Sequence, residues 1–270
     1  MNQILIPTTS PQDWRDLLAD PQKHWRKGYS AMSLAYCWET AKGFPKQVKK
    51  ALAANSRLRD LELLLAIPEY EVNLPGGRAA SQNDLFVLAR SQDGLVCMMV
   101  EGKVNEPFGP QVGEWCAKPS KGKTARLDFL CRTLDIDQNK LQSIRYQLLH
   151  RTASAIIEAR RFKANEGVML VHSFSPSKAW FDDFQKFAGL FGLSVHPGEI
   201  HHAGKHANVD LFIGWVTDSG DYGEEKAPKM KIEGTVVAKV CECCGHHEVG
   251  VETENGKYLS LRPGDKIKVY

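Results

Sequence analysis

The most apolar part of the chain runs from Leu85 to Val104, as Leu-Phe-Val-Leu-Ala and then Leu-Val-Cys-Met-Met-Val around a polar Ser-Gln-Asp-Gly. Short apolar runs bounded by turn residues predict two buried strands joined in a hairpin. Asp93-Gly94 signals a two-residue type I′ turn, which needs positive φ at both central residues. Centring the hairpin on that turn pairs Phe86 with Glu101 and Asp84 with Lys103.

The flanking pattern is mostly helical. Ser10-Pro11 reads as an N-cap with proline at the first helical position, followed by Trp14, Leu17 and Leu18. Trp25, Tyr29, Met32, Leu34, Ala35 and Trp38 form a second amphipathic segment. Val48–Leu65 predicts a third helix with Leu58, Leu61 and Leu65 as its stripe. Glu69–Leu74 alternates as a strand, and Pro75-Gly76-Gly77 is a turn. Beyond the hairpin, helices are expected over Thr124–Leu134, Leu141–Lys163 and Lys178–Phe191, and strands over Gly167–Ser173 and Asn208–Val216. Gly204 makes the stretch with His201, His202 and His206 a loop. This order predicts an α/β fold: a mixed central sheet flanked by helices, with a helical N-terminal extension.

The polar 218–228 stretch reads as a linker, dividing a main domain (1–228) from a small β module (229–270). The module has short alternating runs at Gly234–Val240, Glu248–Thr253, Tyr258–Leu261 and Lys266–Val269, with turns at Asn255-Gly256 and Pro263-Gly264.

Candidate chemistry sits in the hairpin. Side chains alternate faces with period two, so Asp84, Glu101 and Lys103 share one face. Two acids and a lysine among apolar neighbours are costly to bury unpartnered. A hard divalent cation such as Mg²⁺ or Mn²⁺ would compensate the carboxylates, and the lysine would orient a water or stabilise negative charge. A buried ion-pair network is the alternative.

Asp84 followed by Glu101-Gly102-Lys103 on the next strand resembles the PD-(D/E)XK nuclease superfamily. The run Glu101–Phe108, with the tryptophan-rich helical N-terminus, is similar to an uncharacterised bacterial branch of it, over roughly residues 10–215. Asn83 stands where the superfamily name has proline. The resemblance implies a restriction-endonuclease-like fold and metal-dependent cleavage of nucleic acid, DNA in the first instance. Asp84 and Glu101 would hold Mg²⁺ and Lys103 would position water. It also implies an acid on the helix before the hairpin. Glu62, beside the leucine stripe, takes that place, with Glu69 and Glu71 as competitors and a solvated helix edge as the plain alternative. A glutamine on the following helix is implied too, and Gln147 fits; Arg145, His150 and Arg151 are its polar rivals. A non-catalytic binder of nucleic acid or another partner on the same fold is the competing function.

Charge changes this picture little. A net +3 permits nucleic-acid binding without demanding it. Arg78 and the run Lys118, Lys121, Lys123 and Arg126 could meet phosphates, and Glu106 is a third acid near the site. No apolar run is long enough to span a membrane. The opening residues lack the basic and apolar regions of a signal peptide, so the expected compartment is the cytoplasm. Seven cysteines, three of them at 241–244, do not form a secreted disulfide pattern. Cys241 and Cys244 have a zinc-knuckle spacing, and His246 or His247 would have to complete a four-ligand Zn²⁺ site. A zinc shared between two copies, which would make a homodimer, and no metal at all both stay open.

Overall fold

The computed structural model describes residues 8 and 10–219 and the three C-terminal strands 234–240, 247–253 and 258–260. It divides into two compact units, Met1–Gly223 and Glu224–Tyr270. The expected turns at Asn255-Gly256 and Pro263-Gly264 and the expected run Lys266–Val269 lie outside the described residues.

The first unit opens with a 3-10 turn, Pro11–Leu17, and then α1 (Pro21–His24), α2 (Ser30–Ala41) and α3 (Lys46–Ala54). β1 (Glu62–Val72), β2 (Ser81–Arg90) and β3 (Leu95–Lys103) follow. Next come α4 (Val112–Cys116), α5 (Lys121–Leu134), α6 (Tyr146–Phe162), β4 (Glu166–Ser173), α7 (Phe181–Gly189), β5 (Glu199–His206) and β6 (Val209–Thr217). The strands form a six-stranded mixed sheet in the order β1-β2-β3-β4-β6-β5. β1–β2, β2–β3 and β5–β6 are antiparallel; β3–β4 and β4–β6 are parallel. The fold is therefore α/β, with a mixed sheet between helices.

Alternation on the central strands feeds two cores. Met99, Met169, Val171 and Ile213 face one side with Leu148, Ala155 and Ile156 of α6. Val100, Met98, Val168 and Leu170 face the other with Leu34, Trp38 and Leu52. The strands in the middle are buried on both faces, which is why they read as continuous apolar runs.

Several expected elements are rearranged. The helix expected over Val48–Leu65 ends at Ala54, and β1 begins at Glu62. Leu63-Leu64-Leu65 satisfies both helical and strand spacing, and pairing with β2 decides between them. β1 is an edge strand, which is where Pro68 is tolerated within a sheet. His201, His202 and His206 lie on β5 instead of a loop; Gly204, at φ +100°, sits where the β5–β6 register shifts between His202 and Lys205.

The hairpin register is displaced by two residues. Arg90 pairs with Leu95 and Phe86 with Met99, not with Glu101. The turn is a four-residue loop, closed by the Ser91 amide donating to the Gly94 carbonyl at 2.8 Å. Gly94 has positive φ but Asp93 does not, so the type I′ geometry is not formed.

The second unit contributes β7 (Gly234–Val240), β8 (His247–Thr253) and β9 (Tyr258–Ser260), an antiparallel sheet in that order.

Candidate functional site

A register shift of two leaves every side chain on its original face, so the expected grouping survives with different neighbours. Backbone pairing of β2 with β3 runs to Leu85–Val100. One position further, Asp84 stands across from Glu101. On the other side, Glu69 falls between the Pro68–Leu85 and Tyr70–Asn83 pairs, across from Asp84. Glu69, Asp84 and Glu101 thus form one lateral row over three adjacent strands.

The row lies in a cleft of about 730 Å³. Tyr29 and Ser30 line it, as do Tyr146, Gln147, His150 and Arg151 of α6. Glu101 and Lys103 are almost fully buried, at 2% and 3% exposure. Lys103 Nζ lies 2.5 Å from Glu101 Oε1 and over the Phe108 ring. Arg151 Nε donates to Glu101 Oε2 at 2.6 Å, and its guanidinium also reaches Asp84 at 3.9 Å.

Gly102 explains the spacing between acid and lysine. Its amide donates to Asp84 Oδ2 at 2.8 Å. A Cβ there would stand 3.1 Å from Ser30 Cβ and 3.5 Å from Leu34, so glycine lets α2 pack against the site strand.

The charges are unevenly matched: three carboxylates face two cations. Burial opposes ionisation of Glu101, but Arg151 and Lys103 outweigh it and hold the carboxyl at about 2. Burial, with the Glu101 charge next, pushes Asp84 up to about 7. Burial and repulsion from Asp84 push Glu69 up to about 8. Glu69 Oε2 accepts from Gln82 Nε2 at 2.7 Å. Its backbone φ of +51° is left-handed, a conformation costing a non-glycine residue on the order of 1–2 kcal/mol.

Of the expected site residues, Asp84, Glu101, Lys103 and Gln147 all line this cleft. Glu62 does not. It is exposed at the start of β1 and pairs with Arg90 at 2.6 Å. Seven residues of strand, roughly 20 Å, separate it from Glu69. Once β1 replaces the end of the expected helix, the acid facing the cleft is Glu69. Glu106 lines the cleft but accepts from the backbone amides of Ser30, Val104 and Asn105. It secures the loop after β3 to the start of α2. In the basic run, Arg126 is buried and donates to the carbonyls of Leu74, Pro75, Gly77 and Ala79. Lys123 holds the carbonyls of Trp115 and Lys118. Both organise loops, while Arg78, Lys118 and Lys121 are exposed. Cys241, Cys244 and His246 lie outside the described residues, and only the backbone of His247 is described.

A second group, Cys37, His172 and Asp218, places three potential ligand atoms within 4.8 Å of one another. Its hydrogen bonding disfavours a metal. The Trp38 indole can only donate, and it donates to His172 Nδ1 at 3.1 Å. That puts the neutral ring's proton on Nε2, which faces Asp218 at 3.6 Å and has no lone pair for an ion. Burial keeps His172 below its ordinary pKa, consistent with a neutral ring.

Fold and cluster together define a mixed α/β protein with an acid-rich cleft at the sheet row Glu69, Asp84 and Glu101. A family model described as a domain of unknown function, DUF6946, matches residues 7–220, and the chain belongs to that family. No curated protein and no solved structure matches it. Among the described residues, no helix is long and apolar enough to cross a membrane.

Proposed function

We propose that this protein is a divalent-metal-dependent phosphodiester hydrolase, a nuclease acting on DNA, with a restriction-endonuclease-like catalytic core. The observation that carries the reading is the lateral row of three carboxylates with Lys103 beside it. Two of those acids, Asp84 and Glu69, are pushed up by burial and by the charge of a neighbouring carboxylate, Glu101 for Asp84 and Asp84 for Glu69. An oxygen-only donor set with excess negative charge fits Mg²⁺ or Mn²⁺ and would ionise fully around it. Asp84 and Glu101 would hold the ion, with Glu69 replacing Glu62 as the additional acid. The sheet supports the same reading: two antiparallel steps, then a parallel one, with α6 packed on β3 and β4.

A bound divalent ion supplies charge stabilisation to the phosphoryl oxygens and the departing oxygen. The protein's own groups do the rest. Lys103, anchored by Glu101 and Phe108, holds the attacking water in line with phosphorus. Arg151 fixes Glu101 and adds positive potential next to Asp84. Gln147, on the cleft wall, holds a phosphate oxygen or the water.

One observation favours a second reading. Both oxygens of Glu101 are already engaged by Lys103 and Arg151, as in a closed ion-pair network. A non-catalytic nucleic-acid-binding protein on the same fold would suit that arrangement. Nicking of supercoiled DNA with Mg²⁺, tested with wild type, Asp84→Ala and Lys103→Ala, separates them. Loss of nicking in both folded variants supports hydrolysis. A folded wild type that binds DNA and never nicks it supports the second reading.

A further inference from the structure

His150 lies on the α6 wall of the cleft, three residues after Gln147 and next to Arg151. Its Nδ1 is 2.7 Å from Ser81 Oγ. Ser81 is 1% exposed, so its hydrogen-bonding choices are confined to the protein around it. Arg151 Nη1 lies 3.4 Å from the same oxygen. A guanidinium has no acceptor, so this contact can run only from Arg151 to Ser81. The hydroxyl hydrogen is then free for one of two acceptors: His150 Nδ1 at 2.7 Å or the His150 carbonyl at 3.5 Å. The shorter contact has the length of a good hydroxyl hydrogen bond and the longer one is at its limit. That carbonyl already accepts from Ser154 Oγ at 2.8 Å, so a ring donating through Nδ1–H would leave the hydroxyl hydrogen without a good acceptor, and the hydrogen goes to Nδ1.

This direction fixes the ring. With Nδ1 accepting, a neutral imidazole carries its proton on Nε2. Ser81 is the ring's partner among the described residues, which leaves Nε2–H for the cleft that His150 lines. Burial, with the Arg151 charge next, keeps His150 well below its ordinary pKa and so neutral. A neutral imidazole that has already placed its proton on Nε2 is a poor general acid. It is a good fixed donor, polarised through Ser81 by the buried guanidinium. Tyr146 and Gln147, in the first turn of α6, line the same cleft, so the positive end of the helix dipole also favours an anion there.

We propose that the chain Arg151→Ser81→His150 delivers a permanent hydrogen-bond donor, His150 Nε2–H, to a non-bridging oxygen of a phosphodiester bound in the cleft. The choice of a phosphodiester rests on the nuclease reading; the tautomer and its use in anion binding do not. His150 is thereby a substrate-contacting residue opposite the carboxylate row, and the proton-transfer steps do not pass through it.

The test uses the full chain labelled with ¹⁵N-histidine, in the presence of Mg²⁺. Long-range ¹H–¹⁵N spectra report the tautomer, and the His150 signals are assigned by their loss in His150→Gln. The expected pattern is that of the Nε2–H tautomer, with Nε2 shifting when inorganic phosphate is added. Ser81→Ala should mix the two tautomers. Phosphate affinity should fall about tenfold in His150→Ala, the loss of one hydrogen bond to a charged group. It should stay within about threefold in His150→Gln, whose amide nitrogen can replace Nε2 as donor. An Nδ1–H tautomer in the wild type, or unchanged phosphate affinity in a folded His150→Ala, overturns the proposal. Neither result bears on cleavage. A protein that passes both tests and never nicks DNA keeps the donor and loses the nuclease reading.

Discussion

Arg151 Nε lies 2.6 Å from Glu101 Oε2, so a carboxylate expected to bind a cation is already held by one of the protein's own. Glu101 is nearly inaccessible, and both of its oxygens are taken by Arg151 and Lys103. A cation held by Asp84 and Glu101 therefore competes with Arg151 for Glu101, while Asp84 and Glu69, the two acids pushed up in pKa, carry the charge that the protein's own cations leave uncompensated.

Arg151→Met should expose this competition. Removing one member of a buried ion pair costs about 3–5 kcal/mol, because the remaining charge is stranded. Chemical denaturation in chelator should show a loss of that order. Mg²⁺ should recover more stability in the variant than in the wild type, since it replaces the missing positive charge. Equal recovery in both proteins would mean that the ion does not bind at Glu101.

The pKa shifts give the stability a defined pH dependence. Asp84 and Glu69 titrate at about 7 and about 8 when folded, above their ordinary 3.8 and 4.5. Between about pH 4 and pH 8 the folded state binds protons that the unfolded chain has lost, so stability falls as pH rises. Glu101 acts in the opposite sense, and its contribution is lost as pH falls from 4.5 towards about 2. Buried His150 and His172, both held below their ordinary pKa in the folded state, act in the opposite sense below about pH 6.5, so melting temperature in chelator should decline from about pH 6.5 to about pH 8. Glu69→Gln should flatten that decline, and saturating Mg²⁺ should flatten it further.

Metal binding should also release protons. Near pH 6.5 Asp84 and Glu69 are both largely protonated, and an ion that binds them as carboxylates must displace those protons. Titration calorimetry in buffers of different ionisation enthalpy should show more than one proton released per Mg²⁺. Glu69→Gln should lower that number. A heat independent of buffer would contradict the assignment of the two acids.

Trp38→Phe tests the other polar cluster. It removes the donor to His172 Nδ1 and leaves a buried ring nitrogen unsatisfied, at a cost of about 1–3 kcal/mol. It also releases the tautomer. Zn²⁺ should raise the melting temperature of this variant and leave the Cys37–His172–Asp218 group of the wild type unaffected.

Much of the architecture follows from the alternation and length of the apolar runs. β2, β3, β4 and β6, and the bodies of α5 and α6, fall where the pattern expects them. The common face of Asp84, Glu101 and Lys103 survives a register error because that error is an even number of residues. It arose because Asp93-Gly94 carries a turn signature, while closure depends on Ser91 meeting Gly94 across a four-residue loop. The helical expectation for Glu62 fails for a related reason: consecutive leucines fit a helix stripe and a strand equally well, and only pairing with β2 chooses. Glu69 carries no local signal beyond its place in an alternating run, because its neighbour across the sheet is set by the β1–β2 register. Arg126 shows the same limit, since a basic run does not reveal that one arginine will be buried under the carbonyls of a distant loop.

The central claim is that one hard cation is held at the lateral row of carboxylates. Crystals soaked in Mn²⁺ and measured for anomalous scattering test it most directly. The account predicts a peak within coordinating distance of Asp84 and Glu101, with Glu69 facing it and Lys103 alongside. A saturated crystal with no peak in the cleft, or with the ion bound elsewhere on the main domain, would contradict it.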